Sequence, residues 1–109
     1  MRREIILAPE AREDFKALKA NDRATARDAM EQHLRHDPTK TSRSRIKRLR
    51  GMRRTQYRLR VGEVRIFYDV TDEAVEVLAI VAKSEAVAWL ERHGEPDKLI
   101  AEEQGEPTS

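Results

Sequence analysis

Two runs of alternating apolar and polar residues, Tyr57-Arg58-Leu59-Arg60-Val61 and Val64-Arg65-Ile66-Phe67-Tyr68-Asp69-Val70, meet at Gly62-Glu63. Period-two alternation marks half-buried strands, and a two-residue connection with glycine first marks a type II′ hairpin turn. The turn sets the register. Counting outward from Val61 opposite Val64 places Arg60 against Arg65, Leu59 against Ile66, Arg58 against Phe67 and Tyr57 against Tyr68. One face of the hairpin is therefore apolar and the other gathers Arg58, Arg60 and Arg65. A one-residue slip would exchange the faces and bury a row of arginines, which the desolvation of charge forbids. Like charges directly opposed weaken a sheet, so this cationic face needs a compensating anion.

The flanking segments supply the cover for the apolar face. Thr71 to Ala74 reads as a four-residue connection that pairs Val70 with Val75. On that count Val75, Val77, Ala79 and Val81 share the core side with Val64, Ile66, Tyr68 and Val70. Glu4 to Ala8 is a short strand, and Pro9 opens a helix with Ala8, Ala11, Phe15 and Leu18 at helical spacing. Asn21-Asp22 breaks and recaps the chain, and Ala26, Met30 and Leu34 form a second apolar stripe that ends before Asp37-Pro38. Arg45 to Arg50 reads as a short edge strand or extended arm ending at Gly51, and Met52 to Gln56 as a loop with Arg53 and Arg54 near its tip. Ser84 caps a third helix, whose stripe Ala86, Val87 and Leu90 stops at Gly94 before Pro96. The expected class is α+β: a small antiparallel sheet of about four strands, an N-terminal helical hairpin and a short C-terminal helix. Residues 1–94 form a single domain, and residues 95–109 an acidic tail that is partly helical or disordered.

Charge is distributed unevenly. From Lys40 to Arg65 there are eleven Lys or Arg residues against one acid, Glu63, so this block carries +10 and the rest of the 109-residue chain −8. Such asymmetry points to a polyanionic partner. The absence of cysteine excludes disulfide and thiolate chemistry. No apolar run approaches a membrane span or a signal-peptide core, so no membrane partner is expected and the cytoplasm is the expected location.

No nucleotide-binding glycine loop, zinc motif or serine nucleophile elbow is present in the sequence. His33 and His36 stand three apart near a helix end, without an evident third ligand, and no metal is expected. Tyr57 and Tyr68 fall on the core face, away from the arginines. Phe67 lies among them and has two readings: a platform on which a nucleobase stacks, or packing under a loop or partner. Guanidinium forks held by a sheet suit phosphate and the charge that accumulates on it during transfer.

Arg48-Leu49-Arg50-Gly51-Met52, Tyr57-Arg58-Leu59-Arg60, Val64-Arg65-Ile66-Phe67-Tyr68-Asp69-Val70 and the strand entering Lys83-Ser84-Glu85 together resemble the RelE/ParE superfamily of type II toxins, over nearly the whole chain to about Gly94. The resemblance implies neutralisation by a cognate antitoxin. It also implies one of two targets: mRNA in the ribosomal A site for the RelE branch, or DNA gyrase for the ParE branch. The RelE-type reaction uses neither metal nor cofactor. By this resemblance Arg58 falls at the proposed general base, Arg60 at a second cation and Arg65 at the arginine that stabilises the transition state. The family's later acid aligns with Ser84, beside Lys83, and its terminal-helix tyrosine near Trp89-Leu90. The leading expectation is a ribosome-dependent mRNA endonuclease with Arg58, Arg60, Arg65 and Lys83 as catalytic candidates. Lys47, Arg48, Arg50, Arg53, Arg54 and Phe67 are its RNA-binding candidates. A gyrase inhibitor and a non-catalytic RNA-binding toxin are the alternatives.

Overall fold

A computed structural model describes residues 2–96. Strand β1 (Glu4–Leu7) leads into helices α1 (Pro9–Ala17) and α2 (Ala20–Leu34), followed by strands β2 (Ile46–Arg48), β3 (Met52–Arg54), β4 (Tyr57–Val61), β5 (Val64–Val70) and β6 (Ala74–Ala82). A 3-10 turn (Lys83–Glu85), helix α3 (Ala86–His93) and a two-residue strand β7 (Glu95–Pro96) complete it. The main sheet has five strands in the order β1-β6-β5-β4-β2. Four of them form the expected antiparallel array, and β1 adds a fifth that runs parallel to β6, so the sheet is mixed.

Helices α1 and α2 cover one face. Ala11, Ala26, Ala29, Met30 and Leu34 pack on Ile46, Leu59, Val61, Ile66, Tyr68, Val75, Val77 and Ile80. Pro9 opens α1 as expected. The break between the helices comes earlier than Asn21-Asp22. Leu18 and Lys19 are the extended residues, and Asp22 sits inside the first turn of α2. A side-chain cap accompanies the break: the Arg23 guanidinium donates to the Leu18 and Lys16 carbonyls at the end of α1, satisfying acceptors a helix C-terminus leaves open.

The expected pairing of Val70 with Val75 occurs, but the faces do not stay in phase along β6. A bulge lies between Phe67 and Tyr68: Tyr68 pairs with Val77, whereas Phe67 pairs with Ala79. Beyond it Ile80, opposite Ile66, enters the helix-covered core. Ala79 and Val81 turn instead to the other face, where Phe67, Leu78, Ala79 and Trp89 form a second cluster. The Asp14 carboxylate of α1 accepts the Ile80 N–H at 2.9 Å, giving the backbone next to the bulge a partner. Burial raises the Asp14 pKa, against the lowering effect of that hydrogen bond.

Two further segments differ from expectation. Met52 to Arg54 is a strand rather than a loop, because Met52 pairs with Pro96 and Arg54 with Glu95. Ser84 makes no cap; it lies in the 3-10 turn, and Trp89 rather than Val87 is the buried residue of α3. Residues 97–109 of the expected tail lie outside the described residues. No helix among the described residues is long and apolar enough to cross a membrane.

Candidate functional site

The β4–β5 hairpin has the register read from the sequence, from Tyr57 opposite Tyr68 to Val61 opposite Val64. Gly62 turns it at φ +58°, with Glu63 on the ordinary side, as a type II′ turn requires. Arg58, Arg60 and Arg65 therefore stand together on the face opposite α1 and α2. Lys47 of β2 pairs with Arg58 and joins them. Arg45 accompanies the row at its edge, its carbonyl accepting the Arg60 N–H at 2.8 Å. Only its place one residue before β2, one step beyond the Ile46:Leu59 pair, signals this in the sequence.

Each arginine has a distinct setting. Arg65 is 6% exposed, and its guanidinium donates to the carbonyls of Gly62 at 2.8 Å and Val64 at 3.0 Å. It is tethered to its own turn. Arg58 is half-buried, and its Nε has no hydrogen-bond partner among the described residues. Burial, then the charges of Arg65 and Arg60, pull the Arg58 pKa below its ordinary value. Arg60 is exposed. The ion pairs among the described residues are Lys16–Glu13, Arg35–Glu31 and Arg53–Glu95. None of them reaches the hairpin arginines, so the described structure leaves this cation cluster without an internal anion.

Lys83 sits at the same end of the sheet. Its N–H donates to the Glu63 carbonyl at 2.7 Å, which brings it beside the turn that tethers Arg65.

The remaining basic candidates separate. Arg48 pairs with Tyr57 on the helix-side face, and its guanidinium binds the carbonyls of Gln56 at 2.8 Å, Leu49 at 3.1 Å and Met52 at 3.4 Å while lying 5.2 Å from the Tyr57 ring centroid. It braces the β2–β4 junction. Arg53 and Arg54 belong to the separate β3–β7 ladder, where Arg53 pairs with Glu95 at 2.7 Å. Arg50 is exposed in the β2–β3 connection.

Phe67 offers no face to a base. It is 1% exposed and stacked on Trp89, ring centroids 4.8 Å apart and planes 11° apart. Trp89 is held in turn by a 2.7 Å hydrogen bond from its indole N–H to Glu10 of α1. The packing reading of Phe67 is the correct one. Tyr68 is fully buried, donates to the Pro38 carbonyl at 2.6 Å and has its pKa raised by burial, which removes it from proton transfer.

The chain covers 99% of a doubly substituted Escherichia coli toxin RelE in the free state (TM-score 0.64, 18% identity, 85% of this chain). It covers 97% of the RelE chain in an archaeal RelE–RelB complex from Pyrococcus horikoshii (TM-score 0.63, 17% identity, 76% of this chain). For the YoeB dimer from Staphylococcus aureus the figures are 97%, TM-score 0.59, 21% identity and 74% of this chain. No curated protein matches the chain. A model described as ParE toxin of type II toxin-antitoxin system, parDE, matches residues 5–87. With that match spanning both helices of the hairpin and the whole arginine-bearing sheet, the chain belongs to the ParE toxin family within the RelE/ParE superfamily.

Proposed function

We propose that this toxin is a ribosome-dependent mRNA endonuclease of the RelE type. The observation that supports it is an arginine set without an ion-pair partner among the described residues: Arg58 with an orphaned Nε, and Arg60 opposite a tethered Arg65. In the reaction the ribose 2′-oxygen attacks the adjacent phosphorus and the bond to the 5′-oxygen breaks, giving a 2′,3′-cyclic phosphate and a 5′-hydroxyl. Charge builds on the non-bridging oxygens, where preorganised guanidiniums act most strongly. Arg65 stabilises that charge, and Arg58 and Arg60 hold the flanking phosphate oxygens. Lys83, whose backbone is bonded to the turn, supplies the proton from its ammonium to the leaving 5′-oxygen. The 2′-hydroxyl proton passes to water, since arginine is a poor acceptor even when its pKa is depressed. Lys47, Arg45 and Arg50 extend contact to ribosomal RNA, with Arg53 and Arg54 adding charge from β3.

An antitoxin partner belongs to the same reading. Structural neighbours are solved as the RelE–RelB and DinJ–YafQ complexes, and the +10 block would draw an acidic antitoxin segment. The ribosome places the protein in the cytoplasm.

Purified protein added to a translating extract should give primer-extension stops within mRNA codons, and Arg65→Ala should lose them. Intact mRNA with the wild-type protein sinks the reading. A second reading, inhibition of DNA gyrase, has one observation in its favour: with Phe67 covered by Trp89, the aromatic that the strand register sets among Arg58, Arg60 and Arg65 is closed to a stacking base. Gyrase-linked DNA breaks on expression, with mRNA intact, would select it.

A further inference from the structure

Among the described residues other than glycine, Thr55 alone has a positive φ, +68°, a conformation that a β-branched side chain adopts only under strain. It is also fully buried, and its hydroxyl has no hydrogen-bond partner among the described residues. Glycine would relieve the strain and valine the orphaned hydroxyl, so packing gives no reason for threonine here. Strain and an unpaired polar group at one buried position point to a ligand. Thr55 lines a cavity of about 230 Å³ where β3, α1 and α3 meet. Buried Leu78 and Trp89 share its floor, and exposed Glu10, Arg54 and His93 stand at its rim. Glu10 and Arg54 line this one cavity, yet neither forms an ion pair with the other or with any described residue. Glu10 accepts the Trp89 indole N–H through Oε2, which leaves Oε1 to a second donor.

A ligand that joins the two must offer donors to a carboxylate and acceptors to a guanidinium at neighbouring atoms. Guanine does so: N1–H and the 2-amino group are donors, and O6 and N7 are the acceptors that an arginine fork matches. We propose that the cavity is a guanine subsite. Glu10 takes N1–H and the 2-amino group, Arg54 takes O6 and N7, and the Thr55 hydroxyl bonds the edge that reaches the floor. The His93 ring, 5.1 Å from Trp89, supplies an aromatic wall. Adenine has no hydrogen at N1 and sets an amino group where Arg54 needs an acceptor, and uracil turns its O2 toward the Glu10 carboxylate. Selection therefore rests on Glu10. Arg58 opposes Phe67 across the ladder and Phe67 stacks on Trp89, so the cavity floor stands two side chains from the arginine cluster, within reach of the strand whose phosphate that cluster holds. The subsite rests on the proposed function in taking RNA as the source of the base. Its test reads binding without ribosome or cleavage, so either reading can fail alone.

The test titrates the full-length chain with fluorescein-labelled uridine 12-mers carrying one central guanosine, one central adenosine or neither. Guanosine should bind roughly five- to tenfold tighter than adenosine, and that ratio should fall to about one in Thr55→Val and in Glu10→Gln, each of which keeps the shape of its side chain. Trp89 is the chain's single tryptophan, so its indole N–H resonance reports on the floor: it should move with the guanosine oligomer and stay in place with the all-uridine one. Thr55→Val should be at least as stable to urea as the wild type, because the hydroxyl it removes has no partner to lose. Equal affinity for guanosine and adenosine, with guanosine 5′-monophosphate also leaving the indole in place, overturns the proposal. A preference that survives both substitutions overturns it too, as does a stationary indole resonance with the guanosine oligomer bound more tightly. A Thr55→Val protein less stable than the wild type does the same, since the hydroxyl would then serve the fold. Free monophosphate that moves the indole in the wild type and not in Thr55→Val, with the oligomers undistinguished, supports the guanine site and makes a free nucleotide its occupant.

Discussion

At the scale of single residues, the clamp depends on Arg65 being held before any ligand arrives. Its two hydrogen bonds to the Gly62 and Val64 carbonyls fix a planar fork that an ammonium cannot reproduce. On the nuclease reading, Arg65→Ala should lower the single-turnover cleavage rate about 100- to 1,000-fold, and Arg65→Lys should recover little of it. Recovery to near wild-type with lysine would show that charge alone is needed there. Tyr68 makes the contrasting case. Its hydroxyl donates to Pro38 at 2.6 Å within the core, so Tyr68→Phe leaves a buried carbonyl unpaired at a cost of about 1–3 kcal/mol. Urea unfolding should read that loss while RNA binding stays unchanged, since the tyrosine lies on the face away from the arginines.

At the scale of elements, α3 is fastened by one residue. Trp89 stacks on Phe67 of β5 and donates to Glu10 of α1, tying the last helix to both the sheet and the first helix. Trp89→Ala should destabilise the fold by about 3–5 kcal/mol, whereas Trp89→Phe keeps the stack and loses only the hydrogen bond. Helix α2 carries a pH-dependent contribution near its end. Burial, then the charge of Arg45, lowers the His33 pKa below 6.5. The folded state therefore resists a proton that the unfolded chain accepts, so stability is full above about pH 6.5 and declines as pH falls toward the folded value. The slope of unfolding midpoint against pH in that window should flatten in His33→Gln. Elements also show what a sequence can reveal. The hairpin is legible because its alternation is strict and its turn is local. The β6 bulge is not, because Val77-Leu78-Ala79-Ile80-Val81 is apolar at both parities and every register looks satisfactory. The β3–β7 ladder and the covering of Phe67 depend on α3, which is near them in space and distant in sequence. For the same reason the arginine face could be read in advance, and the aromatic assigned to it could not.

At the scale of the molecule, positive charge is concentrated on one face. Helices α1 and α2 mix six acids with Arg12, Lys16, Arg23 and Arg27 for a net −2, whereas the opposite face of the sheet carries Arg58, Arg60, Arg65 and Lys47. A polyanion approaching such a dipole is steered onto the sheet. How much of the +10 block it then engages follows from salt dependence, because each neutralised phosphate of a single strand contributes about −0.7 to the slope of log affinity against log salt. Contact through Arg58, Arg60, Arg65 and Lys47 alone predicts a slope of about −3. Engagement of all eleven cations from Lys40 to Arg65 predicts one of roughly −8. The structure favours the shallower value, because Arg48 is committed to three backbone carbonyls and Arg53 to Glu95. Anisotropy titrations of a short RNA across salt should give that value, with Arg60→Ala shallower by about 0.7 and Arg53→Ala unchanged. If Arg53→Ala flattens the slope as much as Arg60→Ala does, RNA lies across β3 and breaks the Arg53–Glu95 pair, and the hairpin is one part of a wider surface.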